Sequence, residues 1–148
     1  MNESKIIESL LVEDNDIDAE LTQRALKNHH LSNQIKRMVD GQEIIDYLFD
    51  PDGSPKVFAP HFPKLILLDL KLPKISGLEA LKIIKDNPIT KQIPIVVLTS
   101  STEDQDINEC YRLGVNSYIV KPVEFDKFVE SVQELGFYWL LLNKYPTN

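Results

Sequence analysis

Three features of the amino-acid sequence predict an α/β fold, a five-stranded parallel sheet doubly wound by helices. Five short apolar runs alternate with segments of helical spacing. The third and fourth runs, Leu65–Leu68 and Ile95 to Leu98, are apolar without interruption, as in strands covered on both faces. Polar residues collect directly after the runs, at one end of the expected strands, where sheets of this kind hold their ligands.

The first run is Leu10-Leu11-Val12. The second, residues 35–39, contains Lys36 and Arg37 and therefore reads as an edge strand. The fifth is Tyr118-Ile119-Val120. Between the first two runs, residues 16–29 place Ile17, Leu21 and Ala25 at fourfold spacing, with Asp16, Asp18 and Glu20 early and Lys27 late. That charge order suits the helix dipole. Further helices are expected over residues 41–49, with Ile44, Ile45 and Leu48 on one face, and over 76–85, with Leu78, Leu81 and Ile84. A fourth covers 103–113, stopped by Gly114. The fifth and longest covers 124–143, where Phe125, Phe128, Val129, Val132 and Leu135 make an apolar stripe. Residues 51–63, with four prolines and one glycine, read as an extended loop. Alternating strands and helices imply right-handed crossovers and the strand order 2-1-3-4-5.

At 148 residues the chain suits one domain, 1–148, with an extended carboxyl-terminal helical region from about 133. Its net charge of −7 repels phosphate backbones and anionic lipid heads, so neither nucleic acid nor membrane is expected as a partner. The single cysteine, Cys110, forms no internal disulfide, and no stretch has the length and apolarity to cross a bilayer. With no signal-like amino terminus, the expected location is the cytoplasm.

Four strand ends deliver chemistry to one rim. Glu13, Asp14 and Asn15 follow the first, Asp69 the third, Thr99, Ser100 and Ser101 the fourth, and Lys121-Pro122 the fifth. Three carboxylates packed together repel, so they must take up a proton or a cation. Hard oxygen donors suit magnesium. Lys121 adds a second positive charge and Thr99 a hydrogen-bond donor, so an anion on Asp69 would be well held.

Glu13-Asp14, Asp69 followed by Pro73 and Gly77, Thr99-Ser100, Tyr118 and Lys121-Pro122 together resemble the receiver domain of two-component response regulators, which has the flavodoxin-like fold. The resemblance runs from about Lys5 to Val132. It implies that Asp69 is the phosphoacceptor, loaded by a sensor histidine kinase. Asp14, Asp69 and the Lys71 backbone carbonyl would bind Mg2+ or Mn2+, with Glu13 acting through water. Thr99, Ser100 and Lys121 would contact the phosphoryl group, and Tyr118 would be the aromatic switch that follows Thr99. A cis Lys121-Pro122 bond also follows from it. The ending 134–139, Glu-Leu-Gly-Phe-Tyr-Trp, and the long loop before strand three are similar to a narrower group, the stand-alone regulators paired with phytochrome-type kinases.

Taken singly, these residues have plainer uses. Asp14-Asn15 serves as well to cap a helix, Asp69 to make a turn, and His29-His30 to decorate a surface. Glu103, Asp104 and Asp106 suit an acidic first turn. Only their joint placement selects the signalling role. The run 137–142 is large and apolar all round a helix, so a homodimer is expected through helix four, strand five, helix five and this segment. The receiver is expected to signal through a phosphorylation-dependent surface or that dimer, and not as an enzyme. Rival readings are an unphosphorylated docking module and an aspartate-nucleophile phosphohydrolase. The second is disfavoured because Lys71 stands where such enzymes carry another aspartate. No glycine-rich phosphate loop supports a nucleotide-binding module.

Overall fold

Strand and helix alternate as expected in the computed structural model, which describes residues 9–28, 34–57, 62–121 and 130. The elements are β1 (Ser9–Val12), α1 (Asp16–Asn28), β2 (Ile35–Met38), α2 (Gly41–Leu48), β3 (Leu65–Leu68), α3 (Gly77–Asp86), β4 (Ile95–Thr99), α4 (Asp104–Leu113) and β5 (Ser117–Val120), with a 3-10 turn at Thr90–Gln92. All strand pairs are parallel and the order is β2-β1-β3-β4-β5. The charged second strand is indeed an edge. The expected fifth helix, the apolar run 137–142, the Lys121-Pro122 bond and His29-His30 lie outside the described residues.

Strand alternation divides the core in two. Leu10, Val12, Ile66, Leu68, Ile95 and Val97 point to one face, where they meet Ile44 and Leu48 of α2, Leu81 and Ile84 of α3, and Cys110 of α4. Leu11, Leu65, Leu67, Val96 and Leu98 point to the other, with Ala19 of α1. This two-sided burial is why β3 and β4 read as unbroken apolar runs.

Local chemistry sets the helix ends. Asp40 caps α2 by accepting from the Glu43 amide at 2.8 Å, and Ser76 caps α3 by accepting from Glu79 at 3.1 Å. Gly114 ends α4 at φ 102°, the left-handed conformation that glycine adopts without steric cost.

Two details go beyond what the sequence pattern specified. Ile17 and Leu21 are 69% and 56% exposed, while Ala19 is buried. Fourfold spacing identifies a stripe but not which stripe faces the sheet, and Ala19 lies about 200° around the helix from Ile17. The first half of the proline-rich segment is also a closed turn and not extended. The Asp50 amide donates to the Ser54 carbonyl at 2.8 Å, and Phe49 bridges Pro55. The Asp52 carboxylate closes it by accepting from the Ser54 amide and hydroxyl at 2.9 and 2.6 Å.

Candidate functional site

The register of the central strands brings the acids together. Val12 of β1 stands opposite Leu68 of β3, so the next residues, Glu13 and Asp69, leave the sheet side by side. The Asp69 amide donates to the Val12 carbonyl at 3.1 Å, and the Glu13 amide to the Met38 carbonyl at 2.9 Å. Carboxylate oxygens of Glu13, Asp14 and Asp69 lie within 4.8 Å of one another. Glu13 and Asp69 are buried and Asp14 is exposed.

Lys121, directly after β5, crosses to this cluster. Its Nζ donates to Glu13 Oε1 at 2.6 Å, Asp18 Oδ2 at 2.9 Å and Asp69 Oδ2 at 3.2 Å. The lysine amide is held by the Thr99 carbonyl at 2.7 Å, which ties the ends of β4 and β5. Asp69 Oδ1 accepts from the Lys71 amide at 3.1 Å. Behind the carboxylate, α3 approaches so closely that a Cβ on Gly77 would lie 1.9 Å from the Asp69 carbonyl oxygen. No other residue type fits there without backbone movement.

Thr99 is fully buried at the tip of β4, and its hydroxyl accepts a long bond, 3.4 Å, from the Ser101 amide. Ser100 is exposed. The Tyr118 hydroxyl donates to the Ser101 carbonyl at 3.0 Å, and Ser101 Oγ donates to Asp106 at 2.6 Å in the first turn of α4. The Thr99–Ser101 segment thus links the acidic rim to Tyr118 and α4. Lys71 presents an exposed side chain to solvent.

Burial pushes the Glu13 carboxyl above the usual range, and the charge of Asp69 adds to this, against the bonds from Lys121 and Asn15. Burial alone would lower the Lys121 pKa. The bonds to Glu13 and Asp18 and the charge of Asp69 outweigh it and hold the ammonium above the ordinary lysine range. The donors are hard oxygens. Glu13, Asp14, Asp18 and Asp69 face the single ammonium of Lys121, an excess of negative charge that a small divalent cation would reduce, so the residues present fit such an ion.

Two participants escaped the sequence reading. Asp18 looked like a dipole acid in the first turn of α1, yet its carboxylate reaches Lys121. Arg37 looked only like an edge-strand charge. Its guanidinium in fact donates to the Glu13 carbonyl at 3.0 Å and to Asp16 Oδ1 at 2.8 Å.

Residues 9–133 match the family described as the response regulator receiver domain. Among curated relatives, the probable methanogenesis regulatory protein FilR2 of Methanothrix harundinacea is 40% identical over 137 residues, covering 93% of this chain and 86% of its own. The response regulator Rcp1 of Synechocystis is 38% identical over 142 residues, 94% of this chain and 91% of its own. The structure of Mn2+-bound Rcp1 superposes with a TM-score of 0.72 at 37% identity, covering 94% of this chain and 98% of that one. The bacteriophytochrome response regulator AtBRR gives 0.72 at 44% identity, with coverages of 95% and 99%. The phosphorylated cyanobacterial phytochrome response regulator RcpA gives 0.72 at 37%, with 94% and 97%.

Proposed function

Because this chain belongs to the response regulator receiver family, whose members signal through phosphorylation, we propose that Asp69 accepts the phosphoryl group and that Glu13, Asp14 and Asp69 hold a divalent cation beside it. The observation that supports this most is the joining of three strand ends at one point: Lys121 bonds to Glu13 and Asp69, whose carboxylates cluster with Asp14. The manganese in Rcp1 and the phosphorylated state of RcpA support it from related proteins.

The phosphorus–nitrogen bond of a kinase phosphohistidine breaks as a bond forms from an Asp69 carboxylate oxygen to phosphorus. Such transfer depends on positioning and charge stabilisation. A bound Mg2+ or Mn2+, held by Glu13, Asp14, Asp69 and the Lys71 carbonyl, would neutralise charge on the phosphoryl oxygens. Lys121 supplies the second cation, and Thr99 and Ser100 the hydroxyl donors. Phosphorylation brings about −1.5 to −2 charge, which draws Thr99 and Lys121 towards Asp69. Because Thr99–Ser101 also holds Tyr118 and Asp106, that pull reaches α4 and β5.

The phosphodonor we infer is a sensor histidine kinase, of the phytochrome type given the bacteriophytochrome and cyanobacterial relatives. For the homodimer, the described part of the surface offers Tyr111 of α4, half exposed. Acetyl phosphate with Mg2+ tests the core of the reading. The wild-type chain is expected to take up one phosphoryl group, chelation to prevent it, and Asp69→Asn to abolish it. Lys121→Met is expected to slow uptake about 100-fold. Labelling that survives Asp69→Asn would move the acceptor elsewhere.

A further inference from the structure

We propose that Arg37 is a positioning residue for the cation site, a guanidinium clamp that holds residues 13–16 so that Asp14 stays beside Glu13 and Asp69. The inference rests on the cation-binding reading of the acidic cluster given above and assigns a role to a strand that contributes none of its ligands.

Arg37 lies on edge strand β2, opposite Leu11. Its side chain runs past the end of β1 and grips the β1–α1 connection at two places. Nε donates to the Glu13 carbonyl at 3.0 Å and NH1 to the Asp16 carboxylate at 2.8 Å. Those residues bracket Asp14 and Asn15. Within the bracket, the Asn15 amide donates to Glu13 Oε2 at 3.2 Å, and Asn15 Oδ1 accepts from the Asp18 amide at 2.9 Å. Asp14 is the exposed member of the carboxylate cluster, so its place is set by the backbone on either side of it. A fork with fixed spacing between its donors can hold both ends of so short a segment, whereas an ammonium provides a single point charge.

A second observation points the same way. The remaining guanidinium nitrogen, NH2, is buried with no hydrogen-bond partner among the described residues. A buried unpaired donor carries a desolvation cost, so this arginine is poorly explained as a contributor to stability alone. Groups that orient metal ligands from behind typically change affinity about 10–100-fold when removed.

Two physical effects predict opposite signs here, which makes the idea testable. Deleting a positive charge near a cation site should, on Coulomb grounds alone, tighten cation binding. Releasing the 13–16 segment should weaken it. Calorimetric titration of the full chain with Mn2+ is the measurement, made on wild type, Arg37→Met, Arg37→Lys and Asp16→Ala. Arg37→Met keeps an apolar stem, and Arg24→Met, which breaks an exposed pair with Glu20, serves as a control. Kd is expected to rise about tenfold or more in Arg37→Met, nearly as much in Arg37→Lys, less in Asp16→Ala, and not in Arg24→Met. Arg37→Lys keeps the charge and loses the fork, so weaker binding there has no Coulomb explanation. As the mildest change it stays readable should Arg37→Met fold poorly. Asp16→Ala also deletes a negative charge near the site. Unchanged or tighter binding in folded Arg37→Lys or Arg37→Met overturns the clamp alone. Absence of Mn2+ binding by the wild type overturns the cation-site reading and the clamp with it.

Discussion

Glu13 is the residue at which stability and the proposed role oppose each other. Its folded-state pKa lies above the ordinary carboxyl value because of burial. The ionised form therefore costs stability, a loss that sets in as pH rises above the unfolded-state value and is complete once pH has passed the folded-state value. Glu13→Gln is expected to stabilise the metal-free protein at pH 7 by about 0.5–2 kcal/mol while weakening Mn2+ binding. Urea unfolding in the presence of a chelator checks this, and comparable destabilisation would contradict it. Cys110 behaves differently. It is fully buried, and burial pushes its thiol up to about 11. The folded state then keeps its proton while the unfolded chain loses it, so stability declines as pH rises from about 9 towards 11. The slope of unfolding free energy against pH in that interval should shrink in Cys110→Ala, and thiol reagents should modify the native protein only as fast as it opens.

The helices flanking the site carry the next consequences. The start of α3 is seated directly on the Asp69 backbone, with the Gly77 amide donating to the Leu70 carbonyl at 2.8 Å. Gly77→Ala forces a Cβ to within 1.9 Å of the Asp69 carbonyl oxygen. We expect a loss of about 1–3 kcal/mol and slower acetyl phosphate labelling, because the acceptor itself must shift. Unaltered labelling would show that α3 can draw back without shifting the acceptor. On α1, Ile17 and Leu21 stand exposed one turn apart, beside Asp18 of the Lys121 cluster. Ile17→Asp with Leu21→Asp tests whether a protein phosphodonor docks on this face: phosphotransfer from a kinase is expected to slow while labelling by acetyl phosphate stays intact. Equal loss with both donors would refute that role. The sequence revealed these two residues as a helical stripe but not its direction. Which way α1 faces depends on the sheet beneath it, and Ala19, the buried side chain of α1 among the described residues, is too small to stand out.

At the scale of the molecule, the sheet order and the rim were legible because both follow from pattern. Unbroken apolar runs mark central strands, Lys36 and Arg37 mark the edge, and polar residues after each strand collect at one end. Side-chain reach was not legible. Nothing in the spacing of Asp18 and Lys121, 103 residues apart, predicts a 2.9 Å contact, and Arg37 meets Asp16 only because β2 lies beside β1. The closed turn at residues 50–55 was hidden for a similar reason. Its hydrogen bonds come from Asp52 and Ser54, whereas the prolines around them suggested extension.

One measurement bears on the whole arrangement. After incubation with acetyl phosphate and Mg2+, reduction with borohydride converts an aspartyl phosphate to homoserine, and peptide mapping then locates it. Homoserine is expected at position 69 alone, and not when Mg2+ is withheld. Homoserine at Asp14 or another acid, or conversion indifferent to the metal, would contradict it.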